Sequence, residues 1–170
     1  MQGSLKKFLY SNTLANMSAG ELYWSLVDKV WDDISIYDGP EIFLDQFNSA
    51  PEASRTLYAA HWCQSEVCNG GLHQFFGNST GVLAPEAVLA YRTIHMRKLG
   101  AVVAKAMQWF GPQYPRERDM RVAGPYAYEM TYPDKWNPFE QLDDQFFDLI
   151  KSENGGFEAA ADAYAAKNVV

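Results

Sequence analysis

Four side chains near the middle of the chain are of types that hold zinc: His61, Cys63, Cys68 and His73. Their pattern, H-x-C-x4-C-x4-H, lacks the close cysteine pairs of ordinary zinc modules. On a helix His61 and Cys63 would also point about 200° apart. No metal is therefore expected. The same cysteines with His73 could form a thiol–imidazole nucleophile, which requires an activated thiolate. Glu66, the nearest charge in sequence, would raise a thiol pKa instead of lowering it. Glu66 as a general base needs a pocket around it. The chain has no phosphate-cradling Gly-rich loop, no G-x-S-x-G and no H-E-x-x-H. The cysteines read better as small buried apolar residues, and no cofactor is implied.

The elements that must hold these residues read as helices. Of 170 residues, 48 % are hydrophobic and 15 % aromatic, which excludes intrinsic disorder. Helical periodicity dominates and alternating strand-like runs are scarce. Ser18 and Glu21 have capping-box spacing, and Leu22, Leu26, Val27, Val30, Trp31 and Ile34 predict a long first helix ending near Ser35. A shorter helix is expected over Glu41–Phe47 and a third over Pro51–Val67. Asn69-Gly70-Gly71 stops that third helix, before a short one through Leu72–Gly77. Ala84-Pro85-Glu86 opens a helix that Lys98-Leu99-Gly100 interrupts. Val102, Val103, Ala106, Trp109 and Phe110 continue with helical spacing. Residues 112–138 contain five prolines and read as irregular, with one short helix near Arg116–Ala123. Helices over Phe139–Lys151 and from Phe157 onward complete an all-α, single irregular multi-helix domain. We divide the chain into a lead segment, 1–17, and one helical domain, 18–170. Asn69-Gly70-Gly71 and Asn154-Gly155-Gly156 echo each other, and both read as helix-stop signals.

Charge narrows the function classes. The net charge is −7, which argues against direct binding to nucleic acid or anionic lipid and leaves basic proteins open as partners. Residues 1–84 carry a balance of −5, residues 85–121 of +4, and residues 122–170 of −6. Arg92, Arg97, Lys98, Arg116, Arg118 and Arg121 supply the basic middle and are expected to pair with the acidic flanks, within or between subunits. With two cysteines and no run of about 18 apolar residues, the chain reads as cytoplasmic, outside any membrane.

The stretch Glu66–Gly81 packs Glu66, Asn69, Gln74 and Asn78 among aromatics and glycines. Such amides need partners when buried, and backbone groups open at the ends of short helices would serve. A ligand pocket built from the same groups is the other option. The segment resembles a family of small, acidic, all-helical DNA-mimic proteins. The resemblance lies in Glu66-Val67, Asn69-Gly70-Gly71, Gln74-Phe75-Phe76, Asn78-Ser79 and Gly81, followed by Ala84-Pro85-Glu86-Ala87, with Cys68 as a departure. It implies a homodimer that regulates transcription by imitating duplex DNA and occupying the DNA-binding face of a basic DNA-binding protein. The motif residues would be structural.

Independent support comes from acidic stripes. On a long first helix Glu21, Asp28 and Asp32 would lie within about 40° of one another, and Asp38, Glu41 and Asp45 would extend the patch. Glu140, Asp144 and Asp148 follow four apart, rising about 6 Å per step, with Lys151 on the same stripe. Phosphates repeat about every 3.4 Å of axial rise per strand, so such rows can offer a basic protein a phosphate-like track. The expectation is a non-catalytic acidic interaction protein, with these nine carboxylates as its partner-binding surface. The alternatives are an immunity-like inhibitor of a toxin and a small enzyme with a pocket at Glu66–Gly81.

Overall fold

The computed structural model describes residues 18–123 and 137–169. Eight α-helices follow in order, with no strand among the described residues. They are α1 (Glu21–Val27), α2 (Pro40–Ser49), α3 (Glu52–Gly77), α4 (Ala84–Thr93), α5 (Arg97–Met107), α6 (Arg118–Val122), α7 (Glu140–Ser152) and α8 (Phe157–Asn168). The central helix α3 touches α1, α4, α6, α7 and α8, while α5 packs on α4 and α7 and α1 packs on α8. Leu57, Tyr58, Cys63, Val67, Leu72 and Phe75 of α3 are fully buried, as befits a helix with neighbours on several sides. The all-α class holds. The lead segment 1–17 lies outside the described residues, as do 124–136.

The first helix is shorter than its periodicity suggests. It ends at Val27 and passes into a 3₁₀ turn, Asp28–Val30, and then irregular chain. Ile34 and Ile36 are both buried; two residues apart, they cannot share a helical face but can in extended chain. Tyr58 donates its hydroxyl to the Ile34 carbonyl at 2.8 Å, and the Ser35 N–H is taken by the Gln46 side chain at 2.7 Å. Burial of both isoleucines thus outweighs the local helical pattern.

The predicted break at Lys98-Leu99-Gly100 also falls elsewhere. Gly100 lies inside α5, where a Cβ would sit 3.1 Å from the Val88 carbonyl oxygen of α4. It permits close helix crossing and does not end the helix. The break comes at His95, in the left-handed region with φ 64°. The Met96 N–H bonds the Tyr91 carbonyl at 2.7 Å and the His95 N–H bonds that of Arg92 at 3.2 Å. That pair is a Schellman closure, with His95 where glycine is usual.

The two Asn-Gly-Gly copies behave differently. The first produces a kink: Gly70 and Gly71 depart from helical torsions while the helix resumes to Gly77. The second ends α7 outright, with positive φ at Asn154, Gly155 and Gly156. Between Gly111 and Ala123 the chain is irregular apart from α6, as its prolines suggest.

Candidate functional site

Many charged side chains are committed to the backbone. The kink at Gly71 exposes the N–H groups of a restarted helix, and Asp143 of α7 accepts the Leu72 N–H at 2.7 Å. The other Asp143 oxygen accepts from the Asn137 side chain at 2.9 Å. Gly71 has φ 77°, and a Cβ there would sit 2.9 Å from that carboxylate, so only glycine suits. Burial raises the Asp143 pKa, against the lowering effect of its Leu72 and Asn137 bonds. Glu153 accepts the Lys98 and Leu99 N–H groups, both at 2.8 Å, at the start of α5. Asp162 of α8 accepts those of Gly20 and Tyr23, at 2.7 and 2.9 Å, at the start of α1. The capping-box spacing at Ser18 is used from one side, since Glu21 accepts the Ser18 N–H at 2.9 Å. Three helix starts are therefore capped by carboxylates distant in sequence, where the positive dipole end favours an anion.

Arginines serve the opposite ends. Arg121, 3 % exposed, donates to the carbonyls of Phe76, Asn78, Pro115 and Arg116. Arg118 donates to the Gly77 carbonyl at 2.8 Å. Gly81 leaves room for the Arg121 guanidinium, since a Cβ there would meet its Nε at 2.7 Å. Arg116 forms a bidentate pair with Glu86, at 2.7 and 2.9 Å, within the basic middle itself. For three of these residues the described partners differ from the acidic flanks expected: Arg116 binds Glu86, and Arg118 and Arg121 bind carbonyls that α3 leaves open at its C-terminus. The amides of Gln74 and Asn78 take the other role, donating to the Glu66 carboxylate at 3.0 and 2.8 Å. They hold a side chain across the kink and not the open backbone groups expected of them. Glu66 is thereby occupied. Phe75 and Phe76 are buried core, Asn69 is exposed, and Ser79 begins a 3₁₀ turn, Ser79–Leu83.

The acids expected to face a partner are exposed. Glu21, Asp28, Asp32, Asp38, Glu41, Asp45, Glu140, Asp144 and Asp148 are all solvent-accessible, and none forms an ion pair with a described residue. Their arrangement corrects one stripe. Asp28 lies in the 3₁₀ turn and Asp32 beyond it, so with Glu21 they do not share a face of one long helix. Glu41 and Asp45 share a face of α2. Glu140, Asp144 and Asp148 line one face of the 13-residue α7. Lys151 turns toward a cleft of about 510 Å³ that it lines with Gln64, Cys68 and Phe157.

The residues with metal or nucleophile chemistry do not assemble. Cys63 is fully buried and Cys68 exposed, and burial raises both thiols. His61 sits among Trp24, Trp31 and Trp62. Among the described residues no group of three or more His, Cys, Asp or Glu could hold a metal ion. No described helix is long and apolar enough to cross a membrane. Sequence reasoning missed Asp143, although its signal was present. Phe139, Asp143, Phe146 and Ile150 have the 4-3-4 spacing of an inward face, with one carboxylate in it.

An all-helical domain organised around a kinked central helix defines the class of protein. The chain matches the family model described as DMP19-like protein over residues 48–168, and it belongs to that family. This finding corrects the resemblance drawn from Glu66–Gly81: the family shown is the DMP19-like one, and the match shows neither an acidic DNA-mimic family nor the motif as its mark. Six of the nine display acids, from Glu21 to Asp45, precede the matched residues. No curated protein and no solved structure matches the chain.

Proposed function

We propose that the chain is a non-catalytic acidic interaction protein whose exposed carboxylates imitate the phosphates of duplex DNA, and that it occupies the DNA-binding face of a basic DNA-binding protein such as a transcription factor. One observation carries the reading. Glu140, Asp144 and Asp148 stand exposed on one helical face without an ion pair to a described residue, while Asp143 beside them is turned inward as a cap. Like charges four apart destabilise a helix by about 0.2–0.5 kcal/mol per pair, and a fold that needed only solubility would gain by interleaving bases. Successive steps of about 6 Å along α7 suit a surface built to meet phosphates. Glu41 and Asp45 on α2, with Asp28, Asp32 and Asp38 in the turns before it, add carboxylates in the same state.

Capture from native lysate tests this. The wild-type chain should retain a DNA-binding protein that duplex DNA releases, and retention should weaken steeply with salt. The E140Q/D144N/D148N variant should lose it. A partner retained equally at low and high salt and indifferent to duplex DNA would overturn the reading.

A further inference from the structure

Aromatic rings gather beside the N-terminal acids. Trp24 and Trp31 approach to 5.3 Å between ring centroids, Trp31 stacks on Trp62 at 4.9 Å and 13°, and the His61 ring lies 4.9 Å from Trp24 and 5.8 Å from Trp31. The indoles come from α1, the chain just after its 3₁₀ turn, and α3. Their cluster is not sealed: Trp24 is 38 % exposed, and Trp31 and Trp62 are partly exposed. Asp28 lies one turn after Trp24, and Asp32 follows Trp31. Both are exposed, and neither is paired with a described residue. Lys29 is the exposed base in this stretch, against Asp28, Asp32 and Asp33.

We propose that this acid-rimmed indole face seats an arginine guanidinium of the basic partner, making Trp24 an anchor of the interface. The inference rests on the acidic-display reading above and names the chemistry of its partner's contact. Charge complementarity selects a cation for this seat. The π-faces select arginine over lysine, because a guanidinium is planar, weakly hydrated and stacks on indole. Tryptophan is also among the residue types enriched at binding hot spots. The partly buried His61 ring, with Nδ1 3.3 Å from the Tyr23 hydroxyl, has its pKa pushed down to about 4 by desolvation. At neutral pH it therefore adds no charge that would repel the incoming group.

Two unstructured peptides of equal length and charge, one arginine-rich and one lysine-rich, test this by calorimetry on the full chain at low salt. The wild type should bind the arginine peptide about 2–5-fold tighter, the ratio expected of an exposed cation–π contact. Trp24→Ala should bring the two affinities together with little change for the lysine peptide. Trp24→Phe should keep part of the preference, and it serves in place of Trp24→Ala if that variant does not fold. Asp28→Asn with Asp32→Asn should weaken both peptides alike. Equal, salt-sensitive binding of both peptides by the wild type would sink the indole seat and leave the acidic display standing, as would a preference that survives Trp24→Ala. Failure of both peptides to bind would overturn both readings.

Discussion

The charged groups around the kink of α3 and the acids of residues 28–45 are the same side-chain types put to opposite uses. Around the kink, Asp143 and Arg121 are buried: Asp143 holds the Leu72 N–H and the Asn137 amide, and Arg121 holds backbone carbonyls. In residues 28–45, five acids are exposed at the proposed surface and hold no described cation. The difference shows that net charge alone says little about function. A chain of −7 spends its inward charges on capping helices, where charge-assisted bonds are strong. Nine exposed acids hold no cation among the described residues, and these are the groups proposed for recognition.

The largest break in this contrast should come from Arg121. Arg121→Met keeps the bulk and removes a donor shared by four carbonyls. Stranding those acceptors should cost about 1–3 kcal/mol for each one that water cannot reach, read as a lower midpoint in urea at unchanged slope. Asp143→Ala comes next. It leaves the buried Leu72 N–H unsatisfied and should cost about 1–3 kcal/mol. Gly71→Ala should fall in the same range, through its positive φ and the carboxylate in the way of its Cβ. If Asp143→Ala unfolds no more easily than wild type, the kink does not depend on its remote cap.

This network explains what the sequence revealed and what it concealed. A helix with clean apolar periodicity, such as α7, was legible because its burial follows from one face. The kink was legible as a glycine signal but not as a kink, because Asp143 sits 71 residues further along and lets the helix resume. His95 escaped notice because it takes the closing role usually given to glycine. Gly100 misled because local reading cannot see the α4 backbone against it. The nine acids were legible as exposed residues, since exposure follows from polarity. Their grouping on the first helix was not, because burial of Ile34 and Ile36 bends the chain away. Long-range partners decided the kink, Gly100 and the end of the first helix, whereas His95 closes its helix through local bonds.

A pH titration sharpens the contrast on the aromatic side. Burial takes His61 from 6.5 to about 4 in the folded chain. Its folded pKa is thus below its unfolded one, so the unfolded chain binds the extra proton first as pH falls. The stability tied to a neutral His61 is fully present above 6.5 and is lost progressively between 6.5 and about 4. His61→Phe keeps an aromatic ring in the cluster and should flatten that window in a plot of unfolding midpoint against pH. A slope unchanged by the substitution would place the acid sensitivity in other groups.

The smallest effect is the most discriminating. Asp144 is exposed on α7 between Glu140 and Asp148, four residues from each. Asp144→Asn removes two like-charge neighbours at once, worth about 0.2–0.5 kcal/mol each, while the helix propensities of Asp and Asn are nearly equal. The variant should therefore be slightly more stable than wild type, with a thermal midpoint raised by a few degrees at most. In the lysate capture, the same change should weaken retention of a basic partner. Opposite signs in the two measurements are what a carboxylate retained for recognition predicts. An acid present only for solubility would raise the midpoint and leave capture untouched, and an acid that serves the fold would lower it.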